Sequence, residues 1–278
     1  MKKNNYPNSL PSEKIIFRKM NFKLSLSRIE NWHSENVFLS HFFNAMSIMF
    51  PEGEKFFIER VHYYKSKIQN PELLNCVKLF YKQEGRHTAE HLKYNHLLAE
   101  SGHDLKRLEQ YTINGVEIYH KKHPLTQLAL VVAFEHFTAI LAEVLLKNHQ
   151  SLLKSTDREF SRLWMWHAAE ELEHKSVAFD VYLEVGGGYF RRCYAMHLAA
   201  FRFFLNLTKS LFYLLKKDIK KMNFKILTFG ILYLFFYPGL LSRMIPGYFL
   251  FFIPGFHPWK NKNHDLINEV LFKMDPLS

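Results

Sequence analysis

The chain has 278 residues, 48% of them hydrophobic and 16% aromatic, and a formal net charge of +11 with His neutral. That composition excludes a disordered protein and allows one sizeable core, as one domain or one domain with an appendage. The basic balance points to an anionic surface or partner. The two cysteines, Cys76 and Cys193, make no disulfide framework, which favours a reducing compartment.

Residues 1–35 are polar and mixed. Phe22, Leu24 and Leu26 alternate with Lys23 and Ser25, which predicts an extended or irregular segment. No apolar run follows Lys2 and Lys3, so no secretory signal is expected. From Val37 the pattern is helical, with Pro51 as a start or a kink. The stripe Phe50, Glu54, Phe57, Val61, Tyr64, Ile68 completes a first helix before Asn70-Pro71. A second helix over 72–99 carries Leu73, Val77, Phe80, Glu84, His87, His91, Tyr94 and Leu98 on one face and stops at Ser101-Gly102. A long connection over 103–123, with a helical piece near 104–118, leads to a third helix opening near Pro124. Its stripe is Leu128, Val131, Glu135, Thr138, Ala142, Leu145. After a polar loop at 148–156 the fourth helix carries Phe160, Trp164, His167, Glu171, His174, Ala178, Val181 and Val185, and ends at Gly186-Gly187-Gly188. Short joins make antiparallel neighbours. One long crossover, between the second and third helices, is the ferritin-like form of the four-helix bundle. The predicted fold is therefore all-α, with the bundle over 36–188 and an apolar C-terminal helical region and tail over 189–278.

In that last region, residues 194–215 are rich in Phe, Leu and Ala, interrupted by Arg202 and Lys209. A lysine run follows, Lys216, Lys217, Lys220, Lys221 and Lys225. Residues 226–253 are apolar, broken by Pro238-Gly239, Arg243 and Pro246-Gly247, and a short helix is expected near 264–273. A membrane crossing needs about 20 apolar residues, and these stretches are marginal. A monotopic surface anchor or a roof over a substrate cavity fits them better. The lysine run suits anionic lipid, while no basic motif of a nucleic-acid-binding fold occurs. The expected location is cytoplasmic, either free in solution or peripheral on the inner face of the membrane, and a homodimer is compatible. Arg202 and Arg243 are candidates to neutralise an acidic substrate group.

The stripes also carry chemistry. Glu-x-x-His places a carboxylate and an imidazole one turn apart on one helical face. Six such pairs occur: Glu30/His33, Glu59/His62, Glu84/His87, Glu100/His103, Glu117/His120 and Glu171/His174. Glu59/His62 has polar neighbours at helical spacing, Glu100/His103 straddles a helix end, Glu117/His120 lies in the crossover, and Glu30/His33 is ambiguous. Only Glu84/His87 and Glu171/His174 sit mid-stripe between apolar ends. Glu54 and Glu135 are lone mid-stripe carboxylates on the other two helices. One Glu from each of two helices plus Glu-x-x-His from each of the others is the dinuclear carboxylate pattern. Four carboxylates balance two divalent ions in a buried site. Mixed oxygen and nitrogen ligation favours iron, and allows manganese or zinc. His167, one turn before Glu171, is read as a further ligand. His91 and Glu170 are read as partners of ligands, Glu170 orienting His87 from across the bundle.

At these residues the chain resembles the family of predicted metal-dependent hydrolases. The resemblance rests on Phe50-Pro51-Glu52-Gly53-Glu54 with Phe57, Gln83-Glu84-x-x-His87, Glu135-His136-Phe137-Thr138, Trp166-His167-Ala168-Ala169-Glu170-Glu171-x-Glu173-His174-Lys175 and Phe256-His257-Pro258-Trp259. The ligand order is also similar to that of di-iron arylamine N-oxygenases such as p-aminobenzoate N-oxygenase. That similarity implies Glu54, Glu84, His87, Glu135, His167, Glu171 and His174 as ligands. The leading expectation is O₂-dependent oxidation of an apolar, aromatic or lipid-like small molecule by a di-iron cluster. The alternatives are two-metal hydrolysis of an ester or phosphoester, and a non-enzymatic, membrane-associated metal-binding protein.

Overall fold

A computed structural model describes residues 15–274. These are all-helical, with no named strand among the described residues and a single isolated antiparallel bridge, His33 to Thr156. Two long helices open the fold, α1 (Val37–Tyr63) and α2 (Pro71–Glu100), followed by α3 (Lys106–His120) and α4 (Pro124–Lys147). A turn, α5 (His149–Leu152), precedes α6 (Arg158–His174) and α7 (Val177–Glu184). The C-terminal third contains α8 (Tyr189–Lys217), α9 (Phe224–Phe235), α10 (Ile245–Leu250) and α11 (His264–Met274).

Local chemistry sets the boundaries. Asn36, Asn70 and Asp157 each cap a helix by accepting from backbone N–H groups of the first turn. Pro71 and Pro124 occupy first positions, where the missing N–H costs nothing. Pro51 lies inside α1, which runs through it without a break. The helical piece expected in the crossover is α3.

α1 packs on α2, α4 packs on α6 and α7, and the two pairs meet where α1 touches α4 and where α2 touches α6 and α7. The buried faces carry the apolar members of the four stripes, including Phe57, Phe80, Leu128 and Phe160. α8 lies outside this group against α4 and α1, and α9 rests on α1.

The fourth predicted helix is corrected in one respect: it is two helices. The break falls at Lys175-Ser176, and the C-terminal tail explains it. Lys175 Nζ donates to Asn261 O and Asn263 Oδ1, both at 2.7 Å, and sits 4.2 Å from the Trp259 ring centroid. His257 Nε2 lies 2.8 Å from Asp180 Oδ1 at the start of α7. The tail thus clamps both sides of the break, and Ala178 and Val181 still point inward.

The described part of the N-terminal segment, from Ile15, is irregular and crosses α6. Arg18 forms a two-pronged pair with Glu173, at 3.0 and 2.6 Å. The first part of that segment, 1–14, lies outside the described residues.

Candidate metal centre

Each of the helices α1, α2, α4 and α6 delivers its mid-stripe polar residues to one buried point. Glu54 and Glu135 come from α1 and α4, Glu84 and His87 from α2, and His167, Glu171 and His174 from α6. None of these side chains is more than 5% exposed. Three overlapping groups have ligand atoms within 4.8 Å of one another: Glu54, His87 and His167; Glu84, His87 and Glu171; and Glu84, Glu135 and His174. Glu171 sits at the middle. Its Oε1 is 3.0 Å from His167 Nε2, 3.4 Å from His87 Nδ1 and 3.5 Å from His174 Nε2. His174 Nε2 is also 3.0 Å from Glu84 Oε1 and 3.5 Å from Glu135 Oε2.

Each imidazole turns one nitrogen into the cluster and has the other held from outside. His87 Nε2 lies 3.1 Å from Glu170 Oε2, and Trp166 Nε1 donates to the other oxygen of that carboxylate. His174 Nδ1 lies 3.0 Å from Gln83 Oε1, and the Gln83 amide donates to Glu173 and to Ile16 O. His167 Nδ1 lies 2.7 Å from His91 Nε2, and His91 Nδ1 meets Ser47 Oγ, which donates to Asn95 Oδ1. In that last chain each group passes its proton outward: Ser47 must accept from His91 Nδ1–H, so His91 Nε2 accepts from His167 Nδ1–H. A neutral His167 is then left with a bare Nε2 facing two carboxylates. Such an arrangement is repulsive unless a cation lies between them.

The unpartnered atoms tell the same story. Among the described residues, Glu54 Oε1, both oxygens of Glu84 and Glu135, His87 Nδ1 and His174 Nε2 are buried without a hydrogen-bond partner. Leaving one such group unmatched costs about 1–3 kcal/mol, so a cluster of them needs compensation. Burial, then repulsion from Glu84, pushes the Glu54 carboxyl well above its ordinary range, and the same two causes raise Glu135. Burial also raises Glu84, against the opposing influence of the adjacent His174. For Glu171, burial is overcome by His174, His167 and His87, which hold it well below the ordinary range. Burial lowers His167 to about 4, helped by the neighbouring His87, which keeps it a neutral ligand-type imidazole. The donor set fits two divalent ions: four carboxylates, three imidazoles and charges that cancel.

Two hydroxyls orient the carboxylates. Thr88 donates to Glu54 Oε2 at 2.8 Å, leaving Oε1 turned inward, and Thr138 donates to Glu171. An apolar cavity lies on the Glu54, His167 and Glu171 side. Met49, Phe50, Phe57, Phe134, Phe137 and Phe203 supply most of its wall, and Arg202 and Asn206 of α8 add polar groups. α8 therefore roofs the cavity. Arg202 lies beside the Tyr119 hydroxyl. Arg243 does not reach the cavity and donates to Pro238 O.

The other Glu-x-x-His pairs disperse. His33 pairs with the Tyr233 hydroxyl, Glu59 is exposed, and Glu30 meets His103, Lys217 and Lys221. A second buried grouping, His41, His103 and Asp218, ties α1 to the end of α8. Lys217 and Lys221 already neutralise Glu30 and Asp218 there, so this cluster is balanced as a clasp. Sequence reasoning did not find Gln83, Thr88, Ser47, Asn95 or Arg18 as supports of the ligands. The one available signal was adjacency, Gln83 beside Glu84 and Thr88 beside His87.

A family model described as "Predicted metal-dependent hydrolase" matches residues 16–262. No curated protein and no solved structure matches the chain.

Proposed function

The chain belongs to the predicted metal-dependent hydrolase family, and we propose that it is a dinuclear-metal enzyme acting on an apolar or aromatic small molecule. One observation carries the reading: buried ligand-type side chains of seven residues, five of them with unpartnered atoms, converge beside an apolar cavity. Glu54, His87 and His167 would hold one ion, Glu135 and His174 the other, with Glu84 and Glu171 between them. Glu-x-x-His on two of four packed helices, with a lone Glu on each of the others, supports a ferritin-like bundle. The bound ions would supply Lewis acidity and, as iron, electrons for O₂.

We assign O₂-dependent oxidation as the reaction. A hydrolysis needs water held against the bond to be cut and a group to protonate the leaving atom. Apart from Glu54, His167, Glu171 and Thr138, the cavity wall is mostly aromatic and aliphatic, and the Thr138 hydroxyl is already engaged by Glu171. The chain's own part is to orient and exclude water. Phe50 packs edge-on against the His91 ring and tilted against the His167 ring, at 4.8 and 5.1 Å, shielding that flank, while Arg202 offers a cation to a polar end of the substrate. A second reading, two-metal hydrolysis of an ester or phosphoester, is favoured by the description of the family.

Anaerobic purification followed by quantification of Fe, Mn and Zn, then O₂ addition, separates the two. Iron with O₂ uptake that disappears in Glu84→Ala supports oxidation. Zinc or manganese, no O₂ uptake, and turnover of aryl esters or phosphoesters would replace it with the hydrolytic reading.

A further inference from the structure

Large apolar side chains normally point inward, yet those of the C-terminal third point out. Phe190, Phe212, Phe224, Phe236, Tyr237 and Phe249 are 85, 69, 84, 72, 75 and 63% exposed. Single exposed apolar residues are ordinary, but an accumulation in one segment is not. α8 shows the cause. One face is buried against α4 and α1 through Ala195, Met196, Ala199, Leu207 and Leu214. The opposite face is also apolar, and with α10 it forms an open groove lined by Phe201, Phe204, Ile245, Tyr248 and Phe249.

Charge names the occupant. Residues 189–263 hold twelve Lys and Arg and one acidic residue, Asp218, which accounts for the chain's net charge of +11. Asp218 is buried against His41. Lys216 at the end of α8, Lys220 in the connection and Lys225 at the start of α9 are exposed and have no ion pair among the described residues. Exposed aromatics beside unpaired lysines match a leaflet of lipid acyl chains under anionic headgroups. Length excludes a crossing by α9: its 12 residues fall short of the roughly 20 needed. α8 is long and apolar enough to cross by length and composition alone, but its inner face is committed to α4 and α1.

We propose that the outer faces of α8, α9 and α10 form a monotopic docking surface for an anionic phospholipid membrane, with Lys216, Lys220 and Lys225 at the headgroups and Phe212, Phe224 and Phe236 in the acyl layer. The docked protein keeps its bundle in water. This rests on the C-terminal surface alone and stands whichever reaction the metal centre performs.

The test is co-sedimentation of the full chain with phosphatidylcholine vesicles containing or lacking phosphatidylserine, with metal content measured in parallel. Binding is expected to the anionic vesicles and to weaken as salt is raised. Phe212→Ser/Phe224→Ser/Phe236→Ser and, separately, Lys216→Glu/Lys220→Glu/Lys225→Glu should each reduce it by more than about tenfold with metal content unchanged. Absence of binding, or binding that both variants retain, would overturn the proposal. So would a stable dimer that hides these aromatics and ignores vesicles, since a second copy would then cover the face.

Discussion

The bundle and the C-terminal third break the same rule in opposite directions. The bundle buries four carboxylates, and α8 to α10 expose rings. Neither arrangement is stable in water by itself, and in each case the missing partner can be read from the imbalance. Buried negative charge with unpartnered oxygens calls for cations. Exposed aromatics flanked by unpaired lysines call for an apolar phase with an anionic border. A polar interior and an apolar exterior are thus two versions of one argument, in which a surface is matched to something the chain does not itself contain.

The sharpest way to break the comparison is to remove the central carboxylates. Glu84→Ala is expected to reduce activity by about 10³-fold or more and to lose most bound metal, measured by elemental analysis. Its vesicle binding should not change. If both fall together, the two regions are one cooperative unit. Chelation tests the same point without mutation. Stripping the metal is expected to lower the melting temperature by about 10 °C, the order expected of ligands bound well above their dissociation constants. Gln83→Leu removes only the acceptor that holds His174 and should weaken metal affinity by about 10–100-fold with the fold intact, read by competition with a chelating dye. The smallest effect falls on the other region. Gly230 lets α9 approach α1, because a Cβ there would lie 2.2 Å from Phe38 Cδ1. Gly230→Ala is expected to cost about 1–3 kcal/mol, seen in denaturant unfolding, with metal content unchanged.

Much of the candidate site was legible because ligand-type residues and core share one period. Glu54, Glu84, His87, Glu135, Glu171 and His174 interrupt apolar stripes, and a polar residue in such a place must be matched by something. The pattern was silent on what holds the ligands. Ser47 and Asn95 act through His91, and Arg18 through Glu173, contacts between separate segments that the pattern within one helix does not reveal. The break after His174 was also hidden. Its cause is the tail around Trp259, far along the sequence, which draws Lys175 away while Ala178 and Val181 keep the stripe's register. For α8, composition revealed an apolar helix but not that its two faces have different neighbours, one a cavity roof and the other exposed.

Phe137 belongs to both regions. Its ring lines the cavity beside the metal centre and also the open groove between α8 and α10, and it stands 5.3 Å from Phe203. Phe137 therefore forms part of the wall shared by the two compartments. If the outer face docks on lipid as proposed, displacement of that ring would offer a molecule dissolved in the bilayer a route to the cluster that avoids bulk water. The concentration that governs turnover would then be the mole fraction of substrate in the leaflet, and diluting the substrate with inert lipid would slow the enzyme even at constant total amount.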